Sequence, residues 1–111
     1  MSTTAEFQRI VVSEFDFLIR EFGCTIERNV NYGREAYIVF KGKDLTVTVN
    51  YELGGEPWVK VKSSGDAKEV SLIRALHKSG IEMRVAADQS LKGLIEKQAD
   101  LLRTWLMIGA K

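Results

Sequence analysis

The sequence predicts a two-layer α+β domain in which an N-terminal helix, a short helix and a long C-terminal helix pack on one face of a four-stranded antiparallel meander. Apolar residues recur at helical spacing near both ends of the chain, whereas the middle alternates with period two. The alternating segments are joined by turns that are too short for the crossovers of a parallel sheet. With 111 residues, 45% hydrophobic and 28% charged, we expect one domain over residues 1–111.

The first segment has the pattern of an amphipathic helix. Thr3 and Glu6 stand at capping-box spacing. The apolar residues that follow are three or four positions apart, and they are Phe7, Ile10, Val11, Phe15, Leu18, Ile19 and Phe22. Gly23 lacks the Cβ that hinders left-handed backbone, so we expect the helix to end at Phe22.

The first strand begins where the period changes to two. Its apolar side comprises Cys24, Ile26, Val30 and Tyr32, and Arg28 is the one misfit on that side. A bulge near Arg28 would account for the misfit.

Three further strands follow at short intervals. The run Ala36–Phe40 is apolar throughout, as expected of a central strand, and it follows the turn residues 31–34. Residues 45–51 alternate cleanly between apolar and polar after the turn 41–44. The fourth strand, 58–62, begins just after Pro57, a position that proline tolerates.

The second half predicts two helices. Asp66 and Glu69 repeat the capping-box spacing ahead of a short helix that ends at Gly80. Residues 81–87 fit either an extended segment or a loop. Asp88 is a candidate N-cap for a long amphipathic helix that closes the domain. Its apolar residues are Leu91, Leu94, Ile95, Leu101, Leu102, Trp105, Leu106 and Ile108.

Composition narrows the classes of function. The chain has 16 basic and 15 acidic residues, and its net charge of +1 gives no long-range attraction for nucleic acid or an anionic membrane. No stretch approaches the roughly 20 apolar residues of a membrane helix. The polar N-terminus and the single Cys24 argue against a secretory signal and an internal disulfide. We therefore expect a cytoplasmic protein.

Residues with catalytic potential are few and scattered. His77 is the single histidine, so a nucleophile would lack the usual base and orienting partner. Cys24 is expected to pack as a small hydrophobic residue, and no set of side chains has metal-ligand spacing. Glu52 and Glu56 could act as paired carboxylates, but loop carboxylates are usually only solvated. We expect no catalytic residues, no metal and no cofactor, and a small hydrolase or transferase is the third-ranked hypothesis.

The outer face of the predicted sheet is the best candidate for a binding surface. If Leu45, Val47 and Val49 face the helices, strand alternation places a second set of residues on the side away from them. That set is Thr46, Thr48, Asn50, Trp58, Lys60 and Lys62. Such a face could stack nucleic-acid bases, which is the runner-up hypothesis. A protein partner is favoured because Trp, Tyr and Arg dominate interface hot spots. The candidate partner-binding residues are Tyr32, Arg34, Tyr37, Trp58, Lys60 and Lys62.

Three segments carry a resemblance to a known class of protein. They are 15–24 (FDFLIREFGC), 47–52 (VTVNYE) and 57–61 (PWVKV). This pattern, a helix ending in FxFLxxxFG before a meander of strands, resembles a class of small bacterial orphan proteins. Some members of that class are regarded as immunity proteins of bacterial toxin systems, including contact-dependent growth inhibition. The resemblance implies a protein that binds and neutralises a cognate bacterial toxin. The near-neutral charge departs from the strongly acidic inhibitors that block nucleases.

Overall fold

The computed structural model describes residues 3–63, 68–80 and 90–108. In these residues helices pack on an antiparallel sheet whose five strands lie in the order in which they occur along the chain. The helices are α1 (Thr4–Glu14), α2 (Asp16–Phe22), α3 (Leu72–Lys78) and α4 (Leu91–Ile108). The strands are β1 (Thr25–Asn31), β2 (Glu35–Lys41), β3 (Leu45–Glu52), β4 (Trp58–Ser63) and β5 (Val70–Ser71). The predicted α+β class, N-terminal helical segment and long C-terminal helix are confirmed.

Both ends of the predicted first helix are confirmed. The Thr3 hydroxyl accepts a hydrogen bond from the Glu6 backbone N–H at 3.0 Å, which satisfies one free donor of the first turn. The helical segment ends at Phe22, and Gly23 follows in the left-handed conformation with φ 70°. A side chain at Gly23 would be strained, so the glycine fixes the exit into β1.

The prediction of one continuous N-terminal helix was wrong, because the helix breaks at Phe15. This residue has φ −99° and ψ 10°, and it separates α1 from α2. In an uninterrupted helix, Phe15 and Phe17 would point about 200° apart. Both are buried in the structure, their rings stack at 6.2 Å, and Phe15 also stacks on Phe40. The break therefore brings two aromatic rings into one core.

The predicted bulge near Arg28 is confirmed. Ile26 pairs with Phe40 while Arg28 pairs with Val39, so Glu27 is the extra residue on β1. Beyond the bulge the strand changes phase, which corrects the prediction that Ile26, Val30 and Tyr32 share one side.

Polar contacts join α1 to the second half of the edge strand β1. Gln8 Nε2 donates to Asn29 Oδ1 at 2.6 Å, and Asn31 Nδ2 donates to Gln8 Oε1 at 3.0 Å. The buried Thr4 hydroxyl lies 3.0 Å from both Asn31 Oδ1 and the Gly33 carbonyl oxygen. The helix-facing side of β1 is thus polar after the bulge, which is why alternation of apolar residues did not reveal its phase.

The core lies between the helices and the inner face of β2, β3 and β4. The predicted alternation of β3 is confirmed, since Val47 and Val49 are fully buried beside buried partners on both neighbouring strands. The buried inner-face residues of these strands are Ala36, Ile38, Phe40, Val47, Val49, Tyr51, Val59 and Val61. Their neighbours in sequence therefore lie on the opposite, outer face of the sheet.

The connection after β4 differs from the prediction. Val70 and Ser71 form a fifth strand on β4, so the predicted four-stranded meander gains a short edge strand. The short helix is capped by Ser71, whose hydroxyl accepts from the Arg74 N–H at 3.2 Å, rather than by the predicted pair Asp66 and Glu69. Asp66, residues 81–87 and the proposed cap Asp88 lie outside the described residues. None of the described helices is long and apolar enough to cross a membrane.

Candidate functional site

The outer face of the sheet carries four cross-strand rows of side chains, which the strand register defines. We name them in order along the strands. The acidic row is Glu35 and Glu52; the aromatic row is Val30, Tyr37, Asn50 and Trp58; the middle row is Arg28, Val39, Thr48 and Lys60; the lysine row is Thr25, Lys41, Thr46 and Lys62. None of these residues belongs to the buried core. Each of them is exposed or half-buried, so the outer face lies outside the core.

The aromatic row contains two of the predicted binding residues, Tyr37 and Trp58, and a third, Tyr32, lies beside it. Trp58 is 40% exposed at the start of β4, and Tyr37 is half-buried on β2. Tyr32, just past the end of β1, is 68% exposed, and its ring centroid lies 6.3 Å from that of Tyr37. Two strand spacings, about 10 Å, separate the backbones of Tyr37 and Trp58. The bulge in β1 brings Tyr32 to this face.

Asn50 lies between Tyr37 and Trp58 in the aromatic row. Its Nδ2 atom is buried and has no hydrogen-bond partner among the described residues. A buried donor without a partner costs about 1–3 kcal/mol, so this amide is poorly satisfied by the part of the chain that the structure describes. A partner that repacks the two flanking aromatic side chains could supply an acceptor for it.

Charge on the outer face is polarised along the strands. Glu35 and Glu52 stand directly opposite each other at one end, an arrangement that mildly destabilises a sheet. Lys41 and Lys62 lie at the other end, and Lys41 Nζ is 3.4 Å from Glu27 Oε2. The face thus presents a negative end, an aromatic band and a positive end.

Glu69 contributes one further charge to the middle of this face. Its Oε2 atom accepts a hydrogen bond from the Thr48 hydroxyl at 3.1 Å. Lys60 stands opposite Thr48 in the register. This carboxylate partly offsets the positive charge of the middle row.

The rings of Tyr32 and Tyr37 are neighbours at the edge of the aromatic row. The pKa of the Tyr32 phenol is raised, chiefly by hydrogen-bonding and charge interactions with the Tyr37 phenol, while Arg28 opposes the shift. A tyrosine is protonated at neutral pH, so the Tyr32 hydroxyl can donate or accept a hydrogen bond at the edge of the aromatic row.

The remaining predicted binding residues fall into two groups. Lys60 and Lys62 are exposed on β4, in the middle and lysine rows. Arg34 lies instead in the turn before β2, where its carbonyl oxygen accepts from the Leu53 N–H at 2.9 Å. By strand alternation it shares the side of the buried Ala36, so it is not part of the outer face.

Cys24 and His77 lie on separate parts of the fold, Cys24 between α2 and β1 and His77 on α3. Cys24 is buried, and burial raises the pKa of its thiol, which disfavours the nucleophilic thiolate. His77 is exposed in the last turn of α3. Within residues 3–63, 68–80 and 90–108, no group of three or more His, Cys, Asp or Glu side chains could hold a metal ion.

The alternation in the sequence placed Asn50 on the outer face. It did not reveal the acidic row, or that Asn50 lies between Tyr37 and Trp58. The apolar run 36–40 conceals the alternation of β2, in which Tyr37 and Val39 point outward and Glu35 extends the same side. Pairing the two predicted strands residue by residue, outward from the turn that joins them, would have placed Glu35 opposite Glu52. Comparisons with protein-family models, with curated proteins and with solved structures found no match for this chain.

Proposed function

We propose that this chain is a non-enzymatic protein-binding module and that the outer face, centred on the aromatic row, is its binding surface. The observation that carries the proposal is the group of three aromatic side chains, Tyr32, Tyr37 and Trp58, that lie outside the core on one side of the sheet. Uncovered aromatic groups clustered on a rigid sheet are typical of interface hot spots. The strands fix their spacing before binding, which lowers the entropy lost on association.

The charges around the aromatic row favour a protein over a nucleic acid. A single-stranded nucleic acid that stacked its bases on Tyr37 and Trp58 would bring phosphates close to Arg28 and Lys60 on one side of the aromatic row and close to the acidic row on the other. Glu35 and Glu52 would repel the phosphates on their side. A protein surface can present both positive and negative side chains, as the outer face itself does. A protein partner can therefore pair with both the acidic row and the lysine row.

The biological partner that we propose is a bacterial toxin, which the chain neutralises by occupying part of its surface. The support for this step is the resemblance of segments 15–24, 47–52 and 57–61 to immunity proteins of toxin systems. A small preorganised sheet suits such a role, because an inhibitor must bind tightly and in one orientation. The polarised charge would set that orientation.

The proposal is tested by measuring the affinity of the chain for a toxin encoded next to it. Trp58→Ala should weaken binding by roughly tenfold to a thousandfold, because truncating a central aromatic hot spot removes a few kcal/mol. Ile73→Ala is the matched control, since Ile73 is also an exposed apolar side chain, 53% exposed, but lies on α3. It should leave the affinity unchanged.

Circular dichroism and thermal unfolding establish that both variants keep the fold. Equal affinities for wild type and the Trp58 variant, or a loss with the Ile73 variant alone, would place the binding surface elsewhere. A parallel titration with single-stranded RNA addresses the runner-up hypothesis. RNA binding that is lost with Trp58→Ala would favour a nucleic-acid function over the protein-binding one.

A further inference from the structure

We infer that a second copy of this chain covers the outer face when no other protein is bound, so that the free protein self-associates through its sheet. The inference rests on the proposed function, because it assigns an occupant to the same binding surface. Its basis is the order of the four rows along the strands: acidic, aromatic, middle and lysine. This order makes the outer face complementary to itself.

The complementarity follows from two-fold symmetry. The two-fold axis lies in the plane between the two facing sheets. It runs perpendicular to the strands and passes midway between the aromatic row and the middle row. Rotation about it lays each strand antiparallel over its own equivalent. The acidic row of each copy then meets the lysine row of the other, and on β2 Glu35 lies over Lys41 of the second copy. Each dimer contains this charge pairing twice.

The inner rows also match under the same rotation. On β4, Trp58 meets Lys60 of the second copy, a pairing that permits a cation–π contact. On β3, Asn50 meets Thr48 of the second copy. That hydroxyl is a hydrogen-bond acceptor for Asn50 Nδ2, which has no partner within the described part of the chain, provided the flanking aromatic side chains repack.

On β2, Tyr37 meets Val39 of the second copy. The centre of the interface therefore combines aromatic and aliphatic side chains with the charges of Arg28, Lys60 and Glu69. At its two ends, carboxylates of one copy face lysines of the other.

The charges also exclude the other face-to-face arrangement. A two-fold axis parallel to the strands would place the acidic row against itself and the lysine row against itself. Like charges in contact oppose association and select against that orientation. Sheets that pack face to face keep their strands within about 30° of alignment, which the antiparallel arrangement satisfies.

The size of the face predicts a weak dimer. Four strands about 4.8 Å apart and six residues of about 3.4 Å each give a flat area of about 400 Å² on each copy. Side-chain relief enlarges this, but the total stays near the lower limit of specific interfaces, for which we expect a Kd on the order of micromolar. A partner with higher affinity would then displace the second copy.

A charge-swap experiment tests this arrangement. Sedimentation velocity over a concentration series should show a monomer–dimer equilibrium for the wild type. Glu35→Lys and Lys41→Glu should each raise the dimer Kd at least about tenfold, because two-fold symmetry doubles each repulsive contact. An equimolar mixture of the two variants should recover the wild-type Kd as a heterodimer, since each altered charge then meets an opposite one. Lys78→Glu, an exposed change on α3, is the control and should not alter the Kd.

Glu52→Lys and Lys62→Glu provide a second pair in case Lys41→Glu, which also loses its contact with Glu27, fails to fold. These two residues lie on neighbouring strands and meet diagonally across the two copies, so we expect a smaller effect than for Glu35 and Lys41. A wild-type chain that stays monomeric up to about 1 mM, well above the expected Kd, would overturn the inference. Dimers that the single variants leave intact, or that the mixture fails to restore, would overturn it as well. If the chain is monomeric but Trp58→Ala still weakens toxin binding, self-association fails and the protein-binding function stands. If the chain dimerises as described but Trp58→Ala leaves toxin binding unchanged, the toxin assignment fails instead.

Discussion

Replacing Val47 with aspartate tests the packing of the sheet against the helices. Val47 has no exposed surface, and its register partners Phe40 and Val61 are also buried. Loss of the buried valine side chain lowers the free energy of unfolding by about 2 kcal/mol. The carboxyl group must then stay ionised without a partner or take up a proton, and either choice adds several kcal/mol. We expect a loss of at least about 5 kcal/mol at pH 7, a large share of the stability of a typical domain.

The measurement is urea unfolding followed by circular dichroism, with Val47→Ala and Thr48→Lys as controls. Val47→Ala should lose about 2 kcal/mol, because it removes apolar packing without adding charge. Thr48→Lys should lose less than about 1 kcal/mol, since Thr48 lies on the outer face and its hydrogen bond to Glu69 is exposed. A Val47→Asp midpoint close to that of the wild type, or a larger loss with Thr48→Lys, would refute the assigned strand phase.

The pH dependence of Val47→Asp supplies an independent check. Burial raises the pKa of the introduced carboxyl in the folded state above its unfolded value of about 3.9. The folded state then holds its proton more tightly, so the variant loses stability relative to the wild type as pH rises through that window. The difference between the two proteins should be smaller at about pH 4 than at about pH 7, by the same linkage. A difference that does not change with pH would mean that the aspartate reaches solvent.

Two further predictions concern the buried thiol and the turn that covers it. Gly42→Ala should destabilise the fold by about 1–3 kcal/mol, because a Cβ there would lie 3.0 Å from the Cys24 Sγ atom. Adding Cys24→Ala should recover part of this loss, as measured by urea unfolding of both single variants and the double variant. The raised pKa of Cys24 predicts that iodoacetamide at pH 8 modifies the native thiol much more slowly than the urea-unfolded chain, as measured by mass spectrometry, and equal rates would show that the thiol is accessible.

Local sequence signals were sufficient to predict the centre of the sheet. The clean alternation of residues 45–51 identified the buried valines of β3, and the pattern of residues 58–62 placed Trp58 on the opposite side. Gly23 marked the end of the helical segment because its conformation is one that other residues avoid. The stereochemistry of glycine favours the left-handed position that ends the helix. The alternation of apolar and polar residues assigns each strand residue to one face of the sheet.

The features that escaped prediction depend on contacts between distant segments. The break at Phe15 is not visible in the sequence, because Phe15 itself fits the apolar stripe of one continuous helix. The break depends on the packing of Phe15 against Phe17 and the distant Phe40 in the folded core. β5 is two residues long and exists only through its pairing with β4. Glu69 resembled part of a helix cap, but its carboxylate accepts from Thr48, 21 positions away.

The bulge at Glu27 links the edge of the sheet to the proposed binding surface. β1 is an edge strand, and an unbroken edge would invite pairing with the strand of another chain. The extra residue interrupts that edge and turns the following residues by one position, so that Val30 joins the aromatic row and Tyr32 reaches Tyr37. Without it, Tyr32 would point towards the side occupied by α1. A single inserted residue thus makes the edge less suited to association and widens the aromatic surface on the face, which directs a partner to the face of the sheet.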